Sequence, residues 1–99
     1  MNKLGTFIRL KREENNLLLR QLAAKLDMDV AYLSKLERGE RIARMEHLPL
    51  FSEILNVPKA DLQLLWASDQ IASFLTVFDD KKEAIQALDL TKKDLLSFS

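Results

Sequence analysis

Arg38, Arg41 and Arg44 follow one another at three-residue steps, and Lys35 precedes them by three more. Guanidinium groups offer a planar fork of donors that matches phosphate and base edges, so cations at this spacing suit a polyanion. Immediately upstream lie Val30, Ala31, Tyr32 and Ser34, small, aromatic or hydroxyl-bearing side chains. On one face of a helix, Lys35 can donate to guanine O6 and N7, Ser34 can donate or accept, and Val30 or Ala31 can meet a thymine methyl. The Tyr32 hydroxyl suits a phosphate or a sugar edge, and Arg38, Arg41 and Arg44 suit phosphates flanking the bases that are read. Arg20 stands near the start of another helix, where backbone N–H groups also favour phosphate. A merely solvated basic loop is the plain alternative for these arginines. Covalent chemistry has little to work with. The chain has no cysteine and one histidine, His47, so neither a metal site nor a cofactor is expected, and an enzyme is not.

The formal net charge is +0 and the pI about 6.6, which alone argues against nucleic acid. The distribution argues the other way. Residues 1–45 carry ten Lys and Arg against six Asp and Glu, a net +4, and residues 46–99 carry five against nine, a net −4. Every arginine lies at or before Arg44. The basic half is therefore the one expected to meet phosphate.

The elements that must hold these residues read as helices throughout. Ninety-nine residues make one small domain with at most an attached element, and two glycines and two prolines are too few for a many-turned β fold. Leu4, Phe7, Ile8 and Leu10 mark a first helix capped by Asn2 and stopped at Asn15-Asn16. Leu22, Ala23 and Leu26 mark a short second helix. Asp29 is placed to cap a third, whose rear face is Leu33 and Leu36 and whose end is Gly39. Two short helices about a three-residue turn have the spacing of a helix-turn-helix. After a polar loop, Leu48, Phe51, Ile54 and Leu55 give a fourth helix with Pro49 in its first turn. Leu62, Leu65 and Trp66 open a fifth that continues through Ile71, Phe74, Leu75 and Phe78. Beyond Asp79-Asp80 a weaker helix over Ala84, Ile85 and Leu88 is expected, then a fresh start at Thr91, which is spaced from Asp94 as in a capping box. No apolar run approaches the ~20 residues that span a bilayer, and no signal-peptide core follows the first lysine, so a soluble, cytoplasmic chain is expected.

The segment 17–39, LLLRQLAAKLDMDVAYLSKLERG, resembles the XRE/Cro family of helix-turn-helix regulators. The resemblance is carried by Leu22-Ala23, Leu26, Leu33 and above all Ser34-Lys35-Leu36-Glu37-Arg38-Gly39, and it extends over Leu4–Trp66. Three departures stand out. Leu18-Leu19 occupies the place of the usual Ser/Thr-Gln, Asp27 that of a common turn glycine, and Ile42-Ala43 that of a frequent Asn-Pro. The first removes a polar cap and a phosphate-touching side chain; the second asks Asp27 for a positive φ. The resemblance also implies that Arg12 and Glu37 form a structural ion pair clamping the third helix to the first.

The resemblance implies an all-α fold, a five-helix lambda-repressor-like helix-turn-helix domain over 1–66 followed by a helical extension over 67–99. It further implies sequence-specific binding to a palindromic duplex operator as a homodimer, repressing transcription and in many relatives the protein's own operon. Ile71, Phe74, Leu75, Phe78, Ile85 and Leu88 offer too much apolar surface for a solvated tail: either the tail folds back to enlarge the core of the single chain, or, as expected here, these residues form the dimerisation face. The alternative is an antitoxin-like or adaptor module whose tail binds a partner protein.

Overall fold

The computed structural model describes residues 2–98 as helices and connecting turns: α1 (Lys3–Glu14), α2 (Leu19–Leu26), α3 (Val30–Arg38), α4 (Leu48–Leu55), α5 (Lys59–Phe74) and α6 (Lys81–Ser97). Single 3₁₀ turns at Met45–His47 and Leu75–Val77 lead into α4 and out of α5. The all-α expectation holds, with six helices rather than five because the extension forms a long helix of its own.

One core unites α1 to α5. Leu4 and Ile8 from α1, Leu22, Ala23 and Leu26 from α2, Leu33 and Leu36 from α3, Leu48, Phe51 and Leu55 from α4 and Leu62 from α5 are all buried. Leu10, read as part of the buried face of α1, is 54% exposed, because Leu4 and Ile8 already fill the line that meets α3 and α5.

Local signals place most helix ends. The Asp29 carboxylate accepts from the Ala31 and Tyr32 N–H groups at 2.7 and 3.2 Å, as an N-cap should. Gly39 ends α3 at φ 78°, and Asp27 takes the positive φ of 53° that its turn position demanded. Asn16 and Asn56 adopt the same left-handed conformation after α1 and α4. Pro49 falls in the first turn of α4, where its missing N–H leaves no bond unmade.

Two expectations about helix starts fail. Asn2 precedes α1 but does not cap it; its side-chain amide donates to the Glu37 carbonyl at 2.9 Å. The cap comes instead from α5, where the Asp69 carboxylate accepts from Lys3 N–H at 3.0 Å and Leu4 N–H at 2.9 Å. Nor does a helix begin at Thr91. Nothing between Leu88 and Thr91 breaks the chain, and the Thr91 hydroxyl donates back to the Ala87 carbonyl at 2.9 Å inside one continuous helix. The start of α6 is Asp80, whose carboxylate accepts from Lys82 N–H at 2.8 Å.

Candidate nucleic-acid interface

The rear of α3 is locked before its front is considered. Leu33 and Leu36 bury against α1 and α2, and Glu37 meets Arg12 in a two-pronged pair, Nε to Oε2 at 2.8 Å and Nη2 to Oε1 at 3.0 Å. The third guanidinium nitrogen, Nη1, donates to the Leu17 carbonyl at 2.9 Å, tying the α1–α2 connection into the same knot. Both side chains are nearly enclosed, at 12% and 6% exposure, and the hydrogen bond to Glu37 holds the Arg12 guanidinium above its ordinary pKa. Gly5 lets α1 approach α3 this closely: a Cβ there would collide with the Leu36 carbonyl oxygen and lie 2.9 Å from that of Glu37.

With its rear fixed, α3 turns its first residues outward. Val30 is 44% exposed and Ala31 is exposed, while Ser34 and Lys35 are half-buried one turn on. The Tyr32 hydroxyl donates to the Ile42 carbonyl at 3.5 Å, and its ring meets the His47 ring edge-on at 6.2 Å, so Tyr32 braces the loop after α3. The cations differ among themselves. Arg38 pairs with Glu40 at 2.9 Å and Arg44 with Glu46 at 3.4 Å, all four side chains more than half exposed. Arg41 and Arg20 are exposed and make no ion pair among the described residues. Exposed pairs such as Arg38–Glu40 and Arg44–Glu46 contribute little to stability.

The missing polar opening of α2 is repaired locally. The Gln21 side chain accepts from Leu18 N–H at 2.8 Å, half of a capping box that needs no hydroxyl. Two further positioning residues have no local signal. The Trp66 Nε1–H donates to the Ala43 carbonyl at 2.8 Å, holding the α3–α4 loop against α5. Asp69 fastens the start of α1, as described above. Burial raises its carboxyl, but the N–H groups of Leu4 and Lys3, with the Lys3 ammonium at 3.4 Å, outweigh this and leave it below the ordinary carboxylate range.

The extension leaves its apolar side chains uncovered. Ile71 is 49% exposed, Phe74 80%, Phe78 37%, Ile85 55% and Leu88 41%, with Leu75 half-buried. Among the described residues no helix is long and apolar enough to cross a membrane.

The model of a helix-turn-helix family, HTH_3, matches residues 8–62, which span α2, α3 and the whole of α4. No curated protein matches the chain. Among solved structures, the clp gene regulator ClgR from Corynebacterium glutamicum is similar in two crystal structures. One is 31% identical with a TM-score of 0.58, over 69% of this chain and 88% of that one. The other is 26% identical with a TM-score of 0.60, over 96% and 84%. A chain of the SinR protein/SinI protein complex shares the fold at 24% identity and a TM-score of 0.56, over 95% and 99%. The clamped α3, the αL turn at Asp27 and the cap at Asp29 are thus found in a chain that belongs to the XRE-type helix-turn-helix family, whose fold is that of DNA-binding transcription regulators.

Proposed function

We propose that the chain binds a palindromic duplex operator sequence-specifically as a homodimer in the cytoplasm and represses transcription. In this reading the body over 1–66 meets DNA and the extension over 67–99 joins two copies. Val30, Ala31, Ser34 and Lys35 face base edges in the major groove. Arg20, Tyr32, Arg38, Arg41 and Arg44 hold the phosphates on either side, and Ile71, Phe74, Leu75, Phe78, Ile85 and Leu88 form the dimer contact. The observation that carries the reading is the outward first turn of α3, held at a fixed angle by the enclosed Arg12–Glu37 pair and flanked by exposed arginines. Repression is the mode this reading takes from the family resemblance: a dimer seated over a promoter would exclude polymerase.

The test is binding of the purified protein to duplex from its own upstream region and to scrambled duplex across a salt series. Each neutralised phosphate contributes about −0.9 to the slope of log K against log[salt]. Selective binding is expected, with a steep slope that becomes shallower in Arg41→Ala and Arg44→Ala. Equal, weak binding to both duplexes, repeated after selection from random DNA, would reject it.

A second reading has an observation of its own. The apolar residues of α6 are all exposed or half-buried within a single chain, and one similar structure is a complex of two proteins. An adaptor or antitoxin-like chain that sequesters a partner through this tail would show a stoichiometric protein complex and no operator.

A further inference from the structure

We infer that the groove between α1, the α3–α4 loop and α5 is a binding site for a compact aromatic monocarboxylate, whose arrival draws Arg41 away from DNA phosphate. The site stands on the groove itself, while its effect on DNA rests on the reading of Arg41 as a phosphate contact. The groove has a volume of about 450 Å³. That lies within the ~300–1,000 Å³ of small-molecule sites. Its apolar side is formed by Leu4, Leu36 and Ala43 of the core, with half-buried Trp66 and with Ile42, which is 60% exposed. The Trp66 Nε1–H donates to the Ala43 carbonyl, so the indole is held in place before any ligand arrives. A fixed indole favours an aromatic body, because ring pairs contribute beyond the area they bury.

The charge of the groove selects the other end of the ligand. Three charged side chains line it, Arg38, Arg41 and Asp69. The Asp69 carboxylate is engaged by the Lys3 and Leu4 N–H groups and the Lys3 ammonium, and Arg38 pairs with Glu40 at 2.9 Å. Arg41 has no ion pair and no side-chain hydrogen bond among the described residues, and the side chains of Gln70 and Ser73 in the same lining have no hydrogen-bond partner there either. One positive charge is thus left over, beside neutral donors. A carboxylate matches it: the guanidinium fork can grip both oxygens, and such charge-assisted bonds are the strong ones. A phosphate monoester would bring nearly two negative charges to a single cation, close to Asp69.

Arg41 cannot serve a carboxylate and a DNA phosphate at once. A ligand that takes its guanidinium removes one phosphate contact from each chain. By linkage, DNA and ligand then weaken each other by the same factor.

The experiment titrates the full chain with benzoate, 3-phenylpropanoate and 2-naphthoate and reads the indole N–H signal of Trp66, the only tryptophan, by NMR. At least one acid is expected to shift that signal saturably with a dissociation constant of about 1 mM or below. The neutral amide of that acid should bind about tenfold more weakly, for want of the charge-assisted bond. Arg41→Gln should abolish this preference for the acid, whereas Ile42→Ser should weaken acid and amide alike. Both side chains are exposed, so the helical circular dichroism of each variant should match the wild type. With duplex DNA, the saturating acid should lower affinity and make the salt slope shallower by about 0.9 for each Arg41 withdrawn. Acetate at equal concentration should do neither.

If none of the three acids moves the Trp66 signal, or if acetate or inorganic phosphate moves it as far, the inference is overturned whatever the chain does with DNA. Survival of the acid preference in Arg41→Gln would overturn it as well. Saturable binding that leaves DNA affinity and slope unchanged would overturn the regulatory half alone. A chain that binds no DNA would overturn the proposed function and that half with it, and the NMR titration would still decide the site.

Discussion

Up to Leu62 the chain buries apolar side chains from five helices into one core; beyond Ala67 every described residue is exposed or half-buried. Both regions carry apolar residues at helical spacing, and both are helical. The difference is that the body's helices cover one another, whereas beyond Asp69, which fastens α1, the apolar residues of the extension stay exposed or half-buried. Periodicity therefore decides that a segment coils and which side is apolar, but not what covers that side. In the body the covering is internal and polar groups are drawn in with it, Arg12 and Glu37 above all. In the extension the apolar side is left outward, and α6 is held by its own backbone bonds and the Asp80 cap.

The largest effect should fall on the enclosed polar groups of the body. Glu37→Ala strands an enclosed guanidinium and is expected to cost ~3–5 kcal/mol in urea or thermal unfolding, whereas Glu40→Ala and Glu46→Ala, in exposed pairs, should each change stability by less than ~1 kcal/mol. A soluble Glu37→Ala chain as stable as the wild type would remove the clamp from the account of α3. Next comes Gly5→Ala, which drives a methyl into two carbonyl oxygens of α3 and should cost ~1–3 kcal/mol by the same measurement.

Asp69 comes third and tests where the body ends. Asp69→Ala frees two α1 N–H groups and should cost about 1 kcal/mol, the usual value of a lost cap. Because its folded carboxyl sits below its unfolded value, its stabilisation is complete above the ordinary carboxylate range of ~4 and disappears as pH falls through the lower folded value. The wild type should therefore lose stability on acidification more steeply than Asp69→Ala over that window. Smallest are the surface changes. Leu88→Ser in α6 should leave the unfolding of the diluted single chain within ~0.5 kcal/mol. Glu40→Gln should leave folding unchanged yet raise DNA affinity a few-fold, by freeing Arg38 for phosphate, as read in the salt series.

The sequence made readable those features that depend on neighbours a few residues apart. Asp29 as a cap, Gly39 as a stop, the positive φ at Asp27, Pro49 in a first turn and Leu33-Leu36 as a rear face all follow from local backbone chemistry. What it hid depends on distant approach. Asp69 caps α1 from 66 positions away, Trp66 reaches Ala43, and Gly5 is needed only because α3 lies across it. Asn2 and Thr91 each have the side chain for a cap, but Asp69 takes the first α1 N–H groups in place of Asn2, and Thr91 lies inside a continuous helix with no free N–H groups to cap. That the first residues of α3 lie outward follows from the apolar spacing of Leu33 and Leu36, while the pairing of Arg38 with Glu40 and Arg44 with Glu46 depends on side-chain reach that a charge count does not show.

The Trp66–Ala43 hydrogen bond has one more consequence. It joins the loop that carries Arg41 and Arg44 to the helix on which subunits would meet, so the two surfaces share a mechanical lever. Any free energy that operator binding transmits through it to subunit association must return undiminished, association tightening the grip on DNA by the same factor. Trp66→Phe, which keeps the ring and removes the donor, would uncouple the two equilibria while leaving each intact.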